Sequence, residues 1–200
     1  MFYNKGLKEV ELGDKSICQI SGEYGSGASA KEYDGKIRYI RITDIDEDGN
    51  LREEKVSPSL IEEKYILQKG DLLFARSGAT VGKTYLFKGN EGKSQYAGYL
   101  IRFRFNKNVI KPEYVYYYTK TQKYFSWIKS KMKVVAQPNI NAQQYSSIEI
   151  PFPSIELQQT FASIVEQVEK LKEKQMKSKE KIDEMFDSLM SKAFKGELTK

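Results

Sequence analysis

The chain lacks histidine altogether and contains a single cysteine, Cys18, among its 200 residues. Histidine is the commonest general base and metal ligand near neutral pH, and structural zinc sites are built mainly from cysteine and histidine. These absences argue against a metal site and against histidine-dependent catalysis. An activated serine is not indicated either, because no Ser-x-x-Lys motif stands at a predicted helix start. With one cysteine, no disulfide forms within these residues.

Long apolar runs are also missing from the chain. No segment approaches the roughly 20 apolar residues that a helix needs to span a bilayer. The first thirty residues do not have the charged and then apolar layout of an export signal. We therefore expect a cytoplasmic protein without a membrane partner.

Charge and length are the first positive indications. The chain carries 33 basic and 27 acidic residues, a net charge of +6, which favours a polyanionic partner if the basic residues cluster. A chain of 200 residues with 40% hydrophobic content is long enough for one core and one extension. The composition predicts a single globular domain followed by an arm.

The arm is predicted from the sequence that follows Pro151 and Pro153. Each proline fixes its own φ and disfavours the α region for the residue before it, so a helix can begin only after Pro153. Ser154 is a suitable N-cap, Glu156 suits the positive end of the helix, and no breaker follows before Gly196. The sequence therefore predicts a helix of roughly 40 residues, or about 60 Å.

Apolar residues in this helix recur at alternating steps of four and three, which is the pattern of a coiled-coil seam. The seam turns polar at Gln175 and Ser178, with lysines around it. An antiparallel second copy would align the two polar centres, whereas a long surface helix packed on its own domain is the alternative. The residues predicted to mediate dimerisation are Leu157, Phe161, Ile164, Val168, Leu171, Ile182, Met185 and Leu189.

The residues before Pro153 have strand-like patterns, with a helix near the end. One helix is predicted over Tyr114–Met132, and the polar stretch Asn50–Lys69 is interpreted as a connection with a helical turn. In the last strand, alternation places Tyr99 with the core residues and Arg102 on an opposite, basic face. Strands are predicted at Ser16–Ile20, Lys36–Thr43, Asp71–Arg76, Lys83–Lys88 and Tyr99–Phe105.

A glycine-rich segment, Arg76–Thr84, superficially resembles a phosphate-binding loop. Its two glycines, Gly78 and Gly82, enclose three residues instead of the four that the motif requires, and Tyr85 and the residues after it read as a strand instead of a helix. The segment instead predicts a hairpin with a small polar tip, which is either an ordinary flexible turn or a tip that enters a groove or contacts phosphates. A nucleotide-dependent enzyme is the weakest of the functional interpretations.

Four segments together resemble the DNA-specificity subunit of type I restriction-modification systems. Each of them is a weak signal alone, but they occur in the family's order and cover most of the chain. Such subunits usually carry two target-recognition domains and two long helices in a chain of about twice this length, and no internal repeat is present here. Either a natural half-length protein or a piece of a longer chain would have this organisation. The segments are Gly70–Lys83, Gln137–Ile140, Ile150–Pro153 and Ala193–Leu198.

The resemblance implies an α+β fold, with a mostly β target-recognition domain over residues 1–153, a long helix over residues 154–195 and a tail over residues 196–200. It further implies that two such helices pair antiparallel and hold two recognition domains at opposite ends of a rod. A two-fold dimer would read a bipartite palindrome.

The resemblance also implies a non-catalytic protein that binds double-stranded DNA and docks modification subunits, with a restriction subunit as a further partner. S-adenosylmethionine would bind the modification subunit, and no cofactor is expected on this chain. The alternative is a coiled-coil adaptor with a β-rich protein- or RNA-binding domain. From loop placement and side-chain chemistry, the residues predicted to contact DNA are Arg41, Thr43, Arg76, Ser77, Gly78, Thr80, Lys83, Lys131, Lys133, Gln137, Asn139 and Asn141.

Overall fold

The structure is a computed structural model that describes residues 6–132 and 138–197. The chain divides into two compact units, Met1–Gln158 and Gln159–Lys200. The first unit contains all the described strands and the shorter helices, and most of the long helix forms the second. The predicted α+β class is confirmed.

The described residues form ten strands and four α-helices. The strands are β1 (Glu9–Glu11), β2 (Cys18–Tyr24), β3 (Ala30–Glu32), β4 (Arg38–Ile40), β5 (Val56–Pro58), β6 (Leu72–Ala75), β7 (Thr84–Leu86), β8 (Ser94–Tyr96), β9 (Leu100–Phe105) and β10 (Glu149–Pro151). The helices are α1 (Pro112–Tyr118), α2 (Gln122–Met132), α3 (Ala142–Ser146) and α4 (Ile155–Phe194).

An antiparallel sheet of four strands, in the order β2-β9-β6-β7, forms the centre of the first unit. Strand β6 is apolar at every position and fully buried, as expected for a strand covered on both faces. Three two-stranded pairings surround this sheet: β1 with β10 and β3 with β5 run antiparallel, and β4 with β8 runs parallel. A core cluster that includes Ile40, Leu73, Tyr96 and Leu100 joins the central sheet to the β4–β8 pair.

The predicted basic face of the last strand is wrong. Arg102 is only 2% exposed and forms ion pairs with Glu23 and with Asp71, while Arg104 pairs with the same Asp71 at 2.7 Å. Tyr99 lies before β9 and is 62% exposed, so it does not join the core. Alternation failed here because both faces of β9 are covered, and carboxylates from β2 and from the residue before β6 compensate the buried arginine.

Two further sequence predictions were too simple. The predicted strand Lys36–Thr43 is a strand only at Arg38–Ile40, after which residues Ile42–Asp44 form a 3-10 turn. The Asp44 carboxylate accepts hydrogen bonds from the backbone and guanidinium of Arg41, and this contact turns the chain. The stretch Asn50–Lys69 contains the predicted short helical turn, at Glu63–Tyr65, but it also contributes strand β5.

The helix predicted over Tyr114–Met132 is two helices, α1 and α2. Two threonines between them compete with the helical hydrogen bonds: the hydroxyl of Thr119 donates to the Tyr116 carbonyl, and that of Thr121 donates to the Tyr118 carbonyl. The Thr119 hydroxyl also lies 2.7 Å from the Thr84 hydroxyl of β7, so this break attaches the helical pair to the sheet.

The prediction of a long helix after Pro153 is confirmed, since α4 contains 40 residues. The Ser154 hydroxyl accepts from the Leu157 backbone N–H at 3.4 Å, in the geometry of an N-cap. Gln158 is buried in the first unit, where its side-chain oxygen accepts from the Lys111 backbone N–H at 2.8 Å. Among residues 6–132 and 138–197, no helix combines the length and the apolar content required to cross a bilayer.

Candidate nucleic-acid interface

The predicted glycine-rich hairpin is confirmed, since it connects the antiparallel strands β6 and β7. Its tip, Gly78–Thr80, is a 3-10 turn, and the Thr80 hydroxyl closes it by donating to the Ser77 carbonyl at 2.9 Å. Gly78 has a φ of +66° and open space around it. Because residues after Gly82 continue as strand β7 and not as a helix, the hairpin does not have the architecture of a phosphate-binding loop.

A second predicted segment, Pro138–Ile140, lies directly against this hairpin. The Ile140 N–H donates to the Arg76 carbonyl at 2.9 Å, and the Gly78 N–H donates to the Pro138 carbonyl at 3.2 Å. Ser77 and Asn139 form an antiparallel bridge between these two bonds. The fold therefore unites two groups of predicted DNA-contacting residues that are more than 60 positions apart in the sequence.

Arg76 contacts both Tyr24 and Asn139 at this junction, and we refer to these three side chains as the Arg76 cluster. The Arg76 guanidinium carbon lies 4.7 Å from the centre of the Tyr24 ring, within the range of a cation–π contact. The Arg76 Nε donates to the Asn139 side-chain oxygen at 3.3 Å. Tyr99 lies beside Arg76, since its carbonyl accepts from the Arg76 backbone N–H at 3.1 Å, and its side chain is exposed.

Buried tyrosines support the hairpin from beneath. The Tyr145 hydroxyl donates to the Ala75 carbonyl at 2.8 Å and accepts from the Gly82 N–H at 3.2 Å. The Tyr124 hydroxyl donates to the Gly82 carbonyl at 2.9 Å. Burial raises the pKa of both Tyr124 and Tyr145, so both hydroxyls stay protonated and remain hydrogen-bond donors. Helices α2 and α3 thereby fix the base of the hairpin while its tip remains accessible.

Three further residues predicted to contact DNA are not members of the Arg76 cluster. The guanidinium of Arg41 is occupied by the Asp44 carboxylate at 2.7 Å, and Thr43 beside it is exposed. The Lys83 ammonium forms a 2.7 Å ion pair with Glu47, and its side chain is 17% exposed. Arg41 and Lys83 therefore already have internal partners, so they are weaker candidates for DNA contacts than Arg76.

The remaining predicted residues differ in their surroundings. Lys131 lies at the end of α2 with its ammonium 5.5 Å from the centre of the Trp127 ring. Asn141 is the N-cap of α3, and its side chain accepts from the Gln144 N–H at 2.8 Å, which gives it a structural role. Lys133 and Gln137 lie outside the described residues.

Sequence reasoning missed Tyr24 and Tyr99. Tyr24 stands directly before Gly25 and follows no motif that indicates a binding role, and Tyr99 was assigned to the core by alternation. Only the sheet register, which pairs Tyr24 with Ile101, brings Tyr24 close to the hairpin. The tertiary structure was therefore needed to find the aromatic side chains of this surface, Tyr24 and Tyr99.

The predicted dimerisation residues form a separate apolar stripe along α4. In the single chain, Ile164 is 55% exposed and Met185 is 72% exposed. Leu157, Val168, Leu171, Ile182 and Leu189 are likewise exposed, and Phe161 is half-buried. Within the described part of the chain, no group of three or more acidic or cysteine side chains could hold a metal ion.

Taken together, these features define a two-part protein, with a β-rich domain that presents an arginine, amide and aromatic surface and a long amphipathic helix after it. The chain belongs to the family of type I restriction modification DNA specificity domains, whose model matches residues 4–184. The resemblance found in the sequence is therefore confirmed.

Individual relatives support this membership. A Methanocaldococcus jannaschii protein named as the specificity subunit of the type I restriction enzyme MjaX is 27% identical over 218 residues, covering 96% of this chain and 49% of its own length. A chain from a structure of type I restriction-modification complex assembly and conformational transition has a TM-score of 0.65 at 17% identity, covering 96% of this chain and 49% of that chain. The HsdS subunit from Thermoanaerobacter tengcongensis has a TM-score of 0.62 at 15% identity, with 95% and 49% covered. The chain thus spans about half the length of the relatives it matches.

Proposed function

We propose that this chain is the DNA-recognition component of a type I restriction-modification complex and reads one half of a bipartite target. The family model carries the proposal, because it extends over both the β-rich domain and most of α4. A net charge of +6 is consistent with a DNA partner. The chain itself is proposed to be non-catalytic.

The surface around the hairpin supports this role in the first unit. Its tip carries Gly78 and Thr80, Ser77 stands directly before the tip, and the Arg76 cluster beside it contains an arginine and an amide, two side-chain types that can read base edges in the major groove. Lys131 is proposed to contact phosphate, which positions the protein without reading sequence. The tyrosines beneath the hairpin hold these groups in place.

The proposed partners follow from family membership. A modification subunit would bind S-adenosylmethionine and methylate adenine at the sites that this chain selects, and a restriction subunit would join the same assembly. This chain would supply the target sequence and a docking scaffold, and no cofactor is assigned to it.

We further propose that α4 pairs antiparallel with α4 of a second copy. Its exposed stripe provides an apolar seam, and Gln175 and Ser178 interrupt that seam near the middle of the helix. Antiparallel pairing places these polar positions opposite each other. Two copies also match the length of the relatives, of which one chain covers about half. Because a two-fold dimer presents identical readers, its target would be an inverted repeat with an unread spacer.

Co-expression with a cognate modification subunit, followed by genome-wide mapping of methylated adenine, tests the function. Methylation at one split motif is the expected result. If a stable purified complex leaves the methylation pattern unchanged, the proposal is wrong. Duplex binding without sequence preference, together with no association with a modification subunit, would instead support the coiled-coil adaptor.

The helix pairing has its own test, in which Leu171→Asp is combined with Ile182→Asp. Burying two carboxylates in an apolar seam is strongly unfavourable, so light scattering should show monomers. Ser163→Asp combined with Ser191→Asp is the matched control, because it adds the same charge at exposed positions off the seam. A dimer that persists in the seam variant contradicts this pairing and leaves DNA recognition by the domain untouched.

A further inference from the structure

We propose that Arg76 reads a guanine in the half-site, and that Tyr24 and Asn139 hold its guanidinium in the reading position. The inference rests on the proposed function and makes it specific for one base. It follows from the contacts within the Arg76 cluster and from how the other arginines of the chain are used.

Arg76 is held on two sides. The Tyr24 ring lies against the guanidinium at 4.7 Å, and the Asn139 side-chain oxygen accepts from Nε at 3.3 Å. A flexible arginine loses rotamer entropy when it binds. Because the guanidinium is held in one position beforehand, this entropic cost of binding is smaller in that position. The hydrogen bond to Asn139 uses Nε and leaves the two terminal nitrogens of the guanidinium unused by this contact.

The two restraining residues are themselves fixed. The Tyr24 hydroxyl accepts from the Ala142 N–H at 3.1 Å, which connects the ring to the first turn of α3. Asn139 is bridged to Ser77, and the Ile140 N–H binds the Arg76 carbonyl. The position of the guanidinium is therefore determined by three segments of the chain, namely β2, the hairpin and the segment before α3.

The two terminal nitrogens of Arg76 select guanine over the other bases. A guanidinium has five N–H donors, and only Nε has a hydrogen-bond partner among residues 6–132 and 138–197. The two terminal nitrogens present parallel donors. Guanine offers two acceptors, O6 and N7, in the major groove, whereas adenine offers one acceptor and one donor that would oppose an N–H of arginine.

The other arginines show what distinguishes Arg76. Arg38 donates to the carbonyls of Arg52 and Glu54, Arg41 binds Asp44, and Arg102 and Arg104 bind buried Asp71. Arg52 is exposed, but its side chain has neither an aromatic nor an amide partner in the described part of the chain. Of these arginines, only Arg76 has both an aromatic ring and an amide against its guanidinium while its two terminal nitrogens have no hydrogen-bond partner in the described part of the chain.

The test uses the full chain assembled with its modification subunit and a duplex library randomised across the half-site. Selection and sequencing then give a base preference at every position. For the unmodified protein we expect one position at which guanine is preferred by roughly 5- to 150-fold, the range for a good bidentate contact. In Arg76→Ala this one preference should disappear, while the preferences at other positions are retained.

Two comparisons separate base reading from loss of charge. Arg76→Lys keeps the charge but loses the planar fork, so it should also relax the same position. Arg52→Ala removes an exposed arginine of equal charge and should leave every preference intact. Thermal unfolding checks that each variant is folded. We expect that they are, because Arg76 is only partly buried.

The two positioning residues have distinct expected effects at that same position. Tyr24→Ala and Asn139→Ala should each weaken the guanine preference, whereas Tyr24→Phe keeps the ring against the guanidinium and should retain most of it. A purely structural role for Tyr24 would lower stability without changing the preference at one position.

The outcomes distinguish this inference from the function on which it rests. If Arg76→Ala weakens binding equally for all sequences, Arg76 contacts phosphate and the guanine assignment is wrong, although the protein remains a sequence reader. If the selection yields no preferred sequence even for the unmodified complex, the proposed function itself fails.

Discussion

Replacing Gly82 by alanine probes how the hairpin is seated on the helices, and Gly78→Ala provides a matched control. Both glycines have positive φ, +86° for Gly82 and +66° for Gly78. A left-handed conformation costs alanine about 1–2 kcal/mol at either position. The two sites differ in space: a Cβ at Gly82 would lie 3.0 to 3.1 Å from three side-chain carbons of Ile128, whereas a Cβ at Gly78 would meet nothing within 4 Å.

The crowding determines the expected difference between the two variants. Overpacking a well-filled core typically costs about 1–3 kcal/mol. Gly82→Ala should therefore lower the free energy of unfolding by about 2–5 kcal/mol, and Gly78→Ala by about 1–2 kcal/mol. The difference arises only from contact with Ile128, since the backbone penalty is common to both.

Urea unfolding followed by tryptophan fluorescence measures these values. Trp127 is the single tryptophan of the chain and lies in α2, next to Ile128, so it reports on the relevant unit. A double-mutant cycle with Ile128→Ala isolates the clash, because that substitution removes all three crowding carbons. In the Ile128→Ala background, Gly82→Ala should cost no more than Gly78→Ala does.

The reasoning is refuted if the two glycine variants lose equal stability in the unmodified background. It is also refuted if the cost of Gly82→Ala is unchanged when Ile128 is truncated. Either result would mean that the hairpin is not held against α2 in the way that the Tyr124 contact indicates.

Two further predictions concern the core and the cysteine. Asp71→Asn should lower the free energy of unfolding by about 3 kcal/mol, the lower end of the range for a broken buried ion pair, because Glu23 still compensates Arg102. Glu63→Gln, which removes an exposed ion pair with Lys93, should leave the urea midpoint unchanged, and equal effects of the two would contradict the burial argument. Burial raises the pKa of Cys18 to about 12, so thiolate is scarce at pH 8 and iodoacetamide should modify the folded protein at least about tenfold more slowly than the urea-unfolded chain. Similar rates in both states would show that the thiol is not protected.

Local patterns in the sequence were sufficient wherever nearby residues decide the structure. Pro153, the Ser154 cap and a heptad repeat predicted α4 to within a residue, because helix initiation and amphipathicity depend on neighbours three and four positions apart. The glycine spacing between Gly78 and Gly82 likewise predicted a hairpin in place of a nucleotide-binding loop.

The tertiary structure decided everything that depends on distant partners. Alternation could not predict the burial of Arg102, because the compensating carboxylates of Glu23 and Asp71 lie 79 and 31 positions away in the sequence. In the same way, residue type nominated Arg76 and Asn139 separately, but only the fold brings them together with Tyr24. The sequence by itself therefore determined the long helix, the hairpin and the family resemblance, while the packing of distant segments determined which side chains form the surface, since side chains far apart in sequence meet only when the chain is folded.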